Sequence, residues 1–233
     1  MAGRRTIPAM RDRPFARLVH ALTALSAIVG TVLAYVLEAH GADPLRVTTP
    51  GLFHDSTEAV VGRLADLTSY FTEWSNVLVA VMFLLLAIRT TGRGRLFRVL
   101  LFDSLLMITV TGLVYNIVLA PAMAPRHGID LLTTTIEHTV TPLLAVVGWA
   151  IVGPRGWLHR RLILPALVLP IIWVIFTLIR GAVIDAYPYG FINVIDLGYP
   201  LALLNVLVIL LIGIGICFAL IGIDRLARRW TPA

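Results

Sequence analysis

Six apolar runs, each close to the length of a bilayer crossing, constrain the fold of this 233-residue chain more than any motif does. A hydrocarbon core about 30 Å thick takes about 20 apolar residues in a helix. The runs at 18–37, 72–88, 96–120, 131–152, 162–179 and 201–223 meet or approach that length. Lipid offers peptide N–H and C=O groups no partner, so such runs must satisfy themselves as helices. Composition agrees: 14% of the residues are charged, where a water-soluble domain carries about 25%. The expected fold is an all-α integral membrane protein, one transmembrane domain over 1–233 built as a six-transmembrane-helix bundle.

The arginines order the connections. Every one of the 19 basic residues is Arg, and 15 of them precede the first run, follow the sixth, or lie between runs two and three or four and five. Only Arg46, Arg63, Arg126 and Arg180 lie in the other set of connections. The positive-inside rule therefore predicts both termini in the cytoplasm, N-in and C-in. Arg beside apolar segments points to membrane topology and away from nucleic acid. The absence of Lys fits the Arg-rich codon usage of a GC-rich bacterium, which makes a bacterial plasma membrane the expected location. The first run is longer than a signal-peptide core, and Glu38-Ala39-His40-Gly41 is a poor cleavage site, so a retained span is expected. Cys217 stands alone inside an apolar run and has no partner for a disulfide or a metal cluster. No cofactor is expected: haem ligation would need His20 and His138, which fall in opposite leaflets.

One external segment reads as more than a connector. Residues 56–68 place Val60, Val61, Leu64 and Leu67 at helical spacing, with Asp55 and Glu58 as a start. This is a short amphipathic helix lying on the outer membrane surface or over the bundle, or a packed loop helix with no gating role.

Polar residues inside spans are costly, so their depth is informative. Thr72, Glu73, Ser75 and Asn76 open the inward second span, and Tyr115 and Asn116 reach the outer leaflet on the third. Glu137, His138 and Thr139 lie about 10 Å below the outer edge of the fourth, from the helical rise. Arg180 ends the fifth span, followed by Asp185, Tyr187, Tyr189, Asn193 and Asp196. The inner half offers His20 and Asp103. A polar pocket opening outward is expected. Several members also have plain structural readings: Thr72 as an N-cap, Arg180 as a snorkelling side chain, the tyrosines as an aromatic belt.

No G-x-S-x-G, H-E-x-x-H, P-loop or paired-Cys motif is present. The remaining nucleophile-and-base combination is Thr72 with His138. A hydroxyl needs a base within hydrogen-bond reach to accept its proton, and imidazole suits that task near neutral pH. A helix N-terminus at Thr72 also offers free N–H groups to an oxyanion. His138 stands four residues before Pro142, which removes a backbone hydrogen bond there.

The stretches Tyr70-Phe71-Thr72-Glu73-Trp74-Ser75-Asn76 and Glu137-His138-Thr139-Val140-Thr141-Pro142 resemble the two motifs of the androgen-induced and androgen-dependent TFPI-regulating proteins. Asp185-Ala186-Tyr187-Pro188-Tyr189-Gly190-Phe191 resembles a Tyr-Pro motif of such six-span relatives. That family comprises multispanning threonine hydrolases of fatty acid esters of hydroxy fatty acids. The resemblance implies Thr72 as nucleophile, His138 as base, and membrane lipids or a lipid-like ester as substrate. Asn76, Tyr115, Asn116, Glu137, Arg180 and Tyr187 are the candidate substrate-binding residues, with Arg180 placed to hold a carboxylate. The expected function is a membrane-embedded lipid-ester hydrolase. The alternative is a small-solute or lipid transporter or binding protein without hydrolytic chemistry.

Overall fold

The structure is a computed structural model that describes residues 14–41, 50–53, 59–88, 94–123 and 125–230. Six helices in it are long and apolar enough to cross a membrane. The first, α1 (Pro14–Ala39), is followed by the short α2 (Val60–Thr68) and then α3 (Phe71–Ile88). The third crossing is α4 (Arg95–Val114), prolonged by a π-helical turn at Tyr115–Leu119 and a 3-10 turn at Ala120–Ala122. The fourth joins α5 (Gly128–Thr135) to α6 (Thr141–Val152) through a second π-helical turn at Ile136–Val140. A 3-10 turn at Arg160–Leu162, α7 (Ile163–Ala166) and α8 (Val168–Ile184) form the fifth, and α9 (Val194–Trp230) the sixth. Among the described residues no strand forms; Leu52 and Tyr187 make one isolated parallel bridge.

The helices run past the apolar runs at both ends. The fifth spans Arg160–Ile184 and the sixth Val194–Arg229, against the expected 162–179 and 201–223. Polar residues such as Asp196 and Asp224 lie on these extensions, where hydropathy stops signalling although hydrogen bonding continues. In α9 the chain turns at Gly198, whose φ of 70° suits glycine, just before Pro200. The fifth crossing is jointed between α7 and α8, with Pro165 and Pro170 on either side of Leu167. Neither joint nor either π turn was expected from the sequence.

Small residues bring α1 against α3. Ala16, Ala24, Ala27 and Gly30 are buried on one face of α1, as expected where helices in lipid associate by close backbone approach. The register runs from His20, edge-on to Phe83 at 5.7 Å, to Tyr35, whose hydroxyl is 2.9 Å from that of Thr68. His20 is therefore buried in the bundle. The opposite face of α1 turns Leu18, Leu22, Leu25, Val32 and Val36 outward, and α8 does the same with Ile171, Ile172, Ile175 and Ile179. The main core sits between α3, α4, α6 and α9 around Phe83, Phe102, Leu105, Trp149 and Leu220.

Asp55 and Glu58 lie outside the described residues, as do Arg4, Arg5, Arg11, Arg13, Arg46, Arg89 and Arg93. The described part of the amphipathic segment is helical, but its Val60 and Val61 are exposed and its buried residue is Asp66. Arg63 on α2 donates from Nε to Glu38 O and from Nη2 to Ala39 O, both at 3.0 Å, closing the C-terminal carbonyls of α1.

Gly30 faces the second π turn. A Cβ there would lie 2.8 Å from Glu137 Cγ and 3.0 Å from Ile136 Cγ2. Gly30→Ala should cost about 1–3 kcal/mol by overpacking, read as a lower thermal midpoint in detergent. Gly222→Ala, with nothing within 4 Å of the added carbon, should leave the midpoint unchanged or raise it.

Candidate functional site

The second π turn builds the site. Pro142 has no N–H to give back to residue 138, so the His138 carbonyl is left open within the helix. Asn116 Nδ2 takes it up at 2.9 Å and also donates to Gly112 O at 2.8 Å. The two π turns face each other, and α4 passes α6 closely at Gly112, whose added Cβ would meet Pro142 Cβ at 3.0 Å. Such turns insert an extra residue and re-aim the side chains that follow.

His138 is the side chain re-aimed. Its Nδ1 lies 3.0 Å from Thr134 O. A carbonyl can only accept, so Nδ1 carries the proton and the neutral ring presents Nε2 as an acceptor. Thr72 Oγ1 lies 3.1 Å from Nε2, which makes Thr72 the donor. Tyr115 lies along the imidazole at 4.1 Å between ring centres. The base is thus held by a carbonyl on one edge, a ring on one face and the hydroxyl it serves.

Thr72 is the second residue of α3, at the corner with α2. Indole N–H groups pin that corner: Trp173 donates to Ser69 O and Trp74 to Thr68 O, each at 2.9 Å. Ser75 donates to Thr72 O at 2.8 Å and meets the Thr111 hydroxyl at 2.8 Å. Tyr189 Oη lies 3.5 Å from Thr72 Oγ1. Burial pushes the Tyr189 hydroxyl up to about 12, against the Thr72 side chain and the Thr72 and Phe71 backbone, which pull it down. It therefore stays protonated at physiological pH.

Thr72, Tyr115, His138 and Tyr189 line one end of a cleft that takes in about 740 Å³ of empty space, its solvent-open mouth included. The rest of its wall is apolar, including Leu106, Val110, Trp173, Val206 and Leu210. The pocket expected to be polar is an oily slot with a hydroxyl–imidazole pair at its end.

The other expected members separate by helical face. One residue turns a helix by about 100°, so Glu73 faces away from the cleft that Thr72 enters, while Asn76, one turn on from Thr72, is drawn toward the second π turn by its hydrogen bonds. Asn76 is fully buried and donates from Nδ2 to Thr72 O at 3.0 Å and Glu137 O at 3.4 Å. Glu137 is buried against Gly30 and hydrogen-bonds Glu73, so the two carboxyl groups face each other outside the cleft. Asn116 is exposed and serves the backbone as described. Arg180 does not reach the cleft: its guanidinium is 2.5 Å from Asp66 and 5.0 Å from the centre of the Phe53 ring. Its charge is engaged by a carboxylate on α2, 114 residues away in sequence. Tyr187 is buried against Gly181, and its backbone pairs with Gly51 and Phe53. Tyr189, two residues on across Pro188, takes the place in the cleft expected for Tyr187.

Among the described residues no group of three or more His, Cys, Asp or Glu gathers as a metal site. Asp103 is buried away from the pair, in a second groove shared with Arg95 and Pro165.

The Asp66–Arg180 pair ties α2 to α8 above the cleft. Removing either side chain should destabilise the fold by about 1–3 kcal/mol. In a double-mutant cycle Asp66→Ala and Arg180→Ala should be non-additive, because each single change strands the other member of the pair. Denaturant midpoints in micelles read this directly; additive losses would show that the pair contributes nothing as a pair.

No family model, no curated protein and no solved structure matches this chain.

Proposed function

We propose that this chain is a membrane-embedded lipid-ester hydrolase in which Thr72 is the nucleophile and His138 the base. The observation that carries the reading is the 3.1 Å approach of Thr72 Oγ1 to a His138 ring whose other nitrogen is already engaged by Thr134 O. A nucleophile, a base within hydrogen-bond reach and a third group orienting the base is the general arrangement for acyl transfer. The apolar cleft supplies the substrate class. Its wall follows the third crossing from Leu106 to Leu119, roughly 20 Å at the helical rise, so an acyl chain lies there while its ester meets Thr72.

The resemblance of the Thr72 and His138 stretches to the androgen-induced and androgen-dependent TFPI-regulating proteins supports the same chemistry. The arginine distribution supports a topology with both termini in the cytoplasm of a bacterium and the pair in the outer leaflet. Attack transfers the Thr72 proton to His138 and forms an acyl-threonine. The leaving alcohol takes that proton, and water, activated by the same imidazole, releases the acid.

Thr72→Ala should abolish fluorophosphonate labelling and hydrolysis of a p-nitrophenyl acyl ester by the purified protein. His138→Ala should lower the rate by about 10²–10⁴, the usual contribution of a general base. Labelling that persists unchanged in Thr72→Ala would leave a lipid-binding or transport protein. Fluorescent-protein and alkaline-phosphatase fusions at the C-terminus test the topology: the first should fluoresce and the second stay inactive.

A further inference from the structure

We propose that Tyr189 is the oxyanion donor of this site, its hydroxyl hydrogen-bonding the carbonyl oxygen of an acyl ester as Thr72 attacks; the assignment rests on the hydrolase reading above. An aromatic belt would direct a tyrosine hydroxyl toward headgroups. This one points the other way, to the N-terminus of α3. Its ring is held on three sides: stacked on Phe191 at 5.1 Å, edge-on to Tyr70 at 5.4 Å and tilted on Trp173 at 6.0 Å.

The protons can be assigned one by one. His138 Nδ1–H is given to Thr134 O, so the Thr72 proton goes to Nε2. The Phe71 and Thr72 backbone N–H groups, at the start of α3, lie beside the Tyr189 oxygen. The remaining proton, on Tyr189 Oη, has Thr72 Oγ1 as its partner at 3.5 Å. That is the long limit of a hydrogen bond. The donor is poorly used. A carbonyl oxygen brought up to Thr72 is a better acceptor, and it gains charge where the donor already points.

The step balances within the site. Thr72 Oγ bonds the acyl carbon, its proton passes to His138 Nε2, and the carbonyl π pair moves onto oxygen. Tyr189 donates a hydrogen bond to that oxygen and keeps its proton. As the pair returns, the ester C–O bond breaks and the alcohol leaves with the proton from His138. Water then repeats the sequence on the acyl-threonine.

The test uses the full chain in detergent with p-nitrophenyl decanoate, comparing Tyr189→Phe and Thr72→Ala with the wild type. Losing one oxyanion donor should lower kcat by about 10²-fold, with KM and the thermal midpoint unchanged. Wild-type kcat in Tyr189→Phe beside an inactive Thr72→Ala overturns the assignment and leaves the hydrolase reading standing. Full activity in Thr72→Ala overturns both. If Tyr189→Phe is less stable, ligand-induced thermal shifts read the same bond. A decyl trifluoromethyl ketone, which forms a tetrahedral oxyanion on the nucleophile, should stabilise the wild type but lose its shift in the variant, while decanol shifts both alike. Equal ketone shifts in both proteins overturn the assignment.

Discussion

Every peptide group held in hydrocarbon must find its hydrogen bond within the protein, and this requirement shapes the bundle wherever a helix is interrupted. A continuous helix meets it unaided. At several interruptions among the described residues a side chain meets it instead. Arg155 closes α6 by donating to Trp149 O and Ala150 O. Asp224 accepts the Gly156 and Leu158 N–H groups in the turn that follows. Asn205 reaches Phe191 O, and Asn193 reaches Pro50 O. The interruption at Pro142 is met by Asn116 at the His138 carbonyl. One turn back, the His138 ring bonds Thr134 O, and that bond sets the tautomer of the proposed base.

The same geometry sorts polarity. Thr72 and Ser75 are turned one way by their partners and Glu73 and Asn76 another, although Asn76 lies one turn on from Thr72. The first pair meets the cleft and Thr111; the second meets Glu137 and the small-residue face of α1. Keeping the carboxyl groups and Asn76 out of the cleft leaves its walls apolar. In that low-dielectric space a hydroxyl, an imidazole and a protonated phenol interact more strongly than they would in water. The resulting slot suits a long hydrocarbon chain bearing one polar group.

Much of this was legible in the residues themselves. The six crossings follow from apolar length, and the depth of Thr72 and His138 follows from counting along alternating spans. Their shared depth is what made a meeting expected. Other features leave no mark in hydropathy or spacing. Tyr187 and Tyr189 are equally polar and two residues apart, and only the turn at Pro188 decides which enters the cleft. Arg180 was expected at the pocket, but Asp66 on α2 claims it. The extensions of the fifth and sixth helices continue through Asp, Asn and Tyr, where apolar patterning ends and hydrogen bonding does not.

The sequence by itself determined that the backbone is helical and how many helices can cross a bilayer, because lipid permits few other conformations for long apolar runs. It also determined the depth of each polar residue along its helix, since the rise per residue is constant. Rotation about the helix axis is another matter. Which side of α3 meets α1, and whether His138 turns toward Thr72, depends on one extra residue in each of two π turns and on the close approaches at Gly30 and Gly112. An axial position is a local property of the chain. An azimuth is settled only when all the helices pack against one another at once.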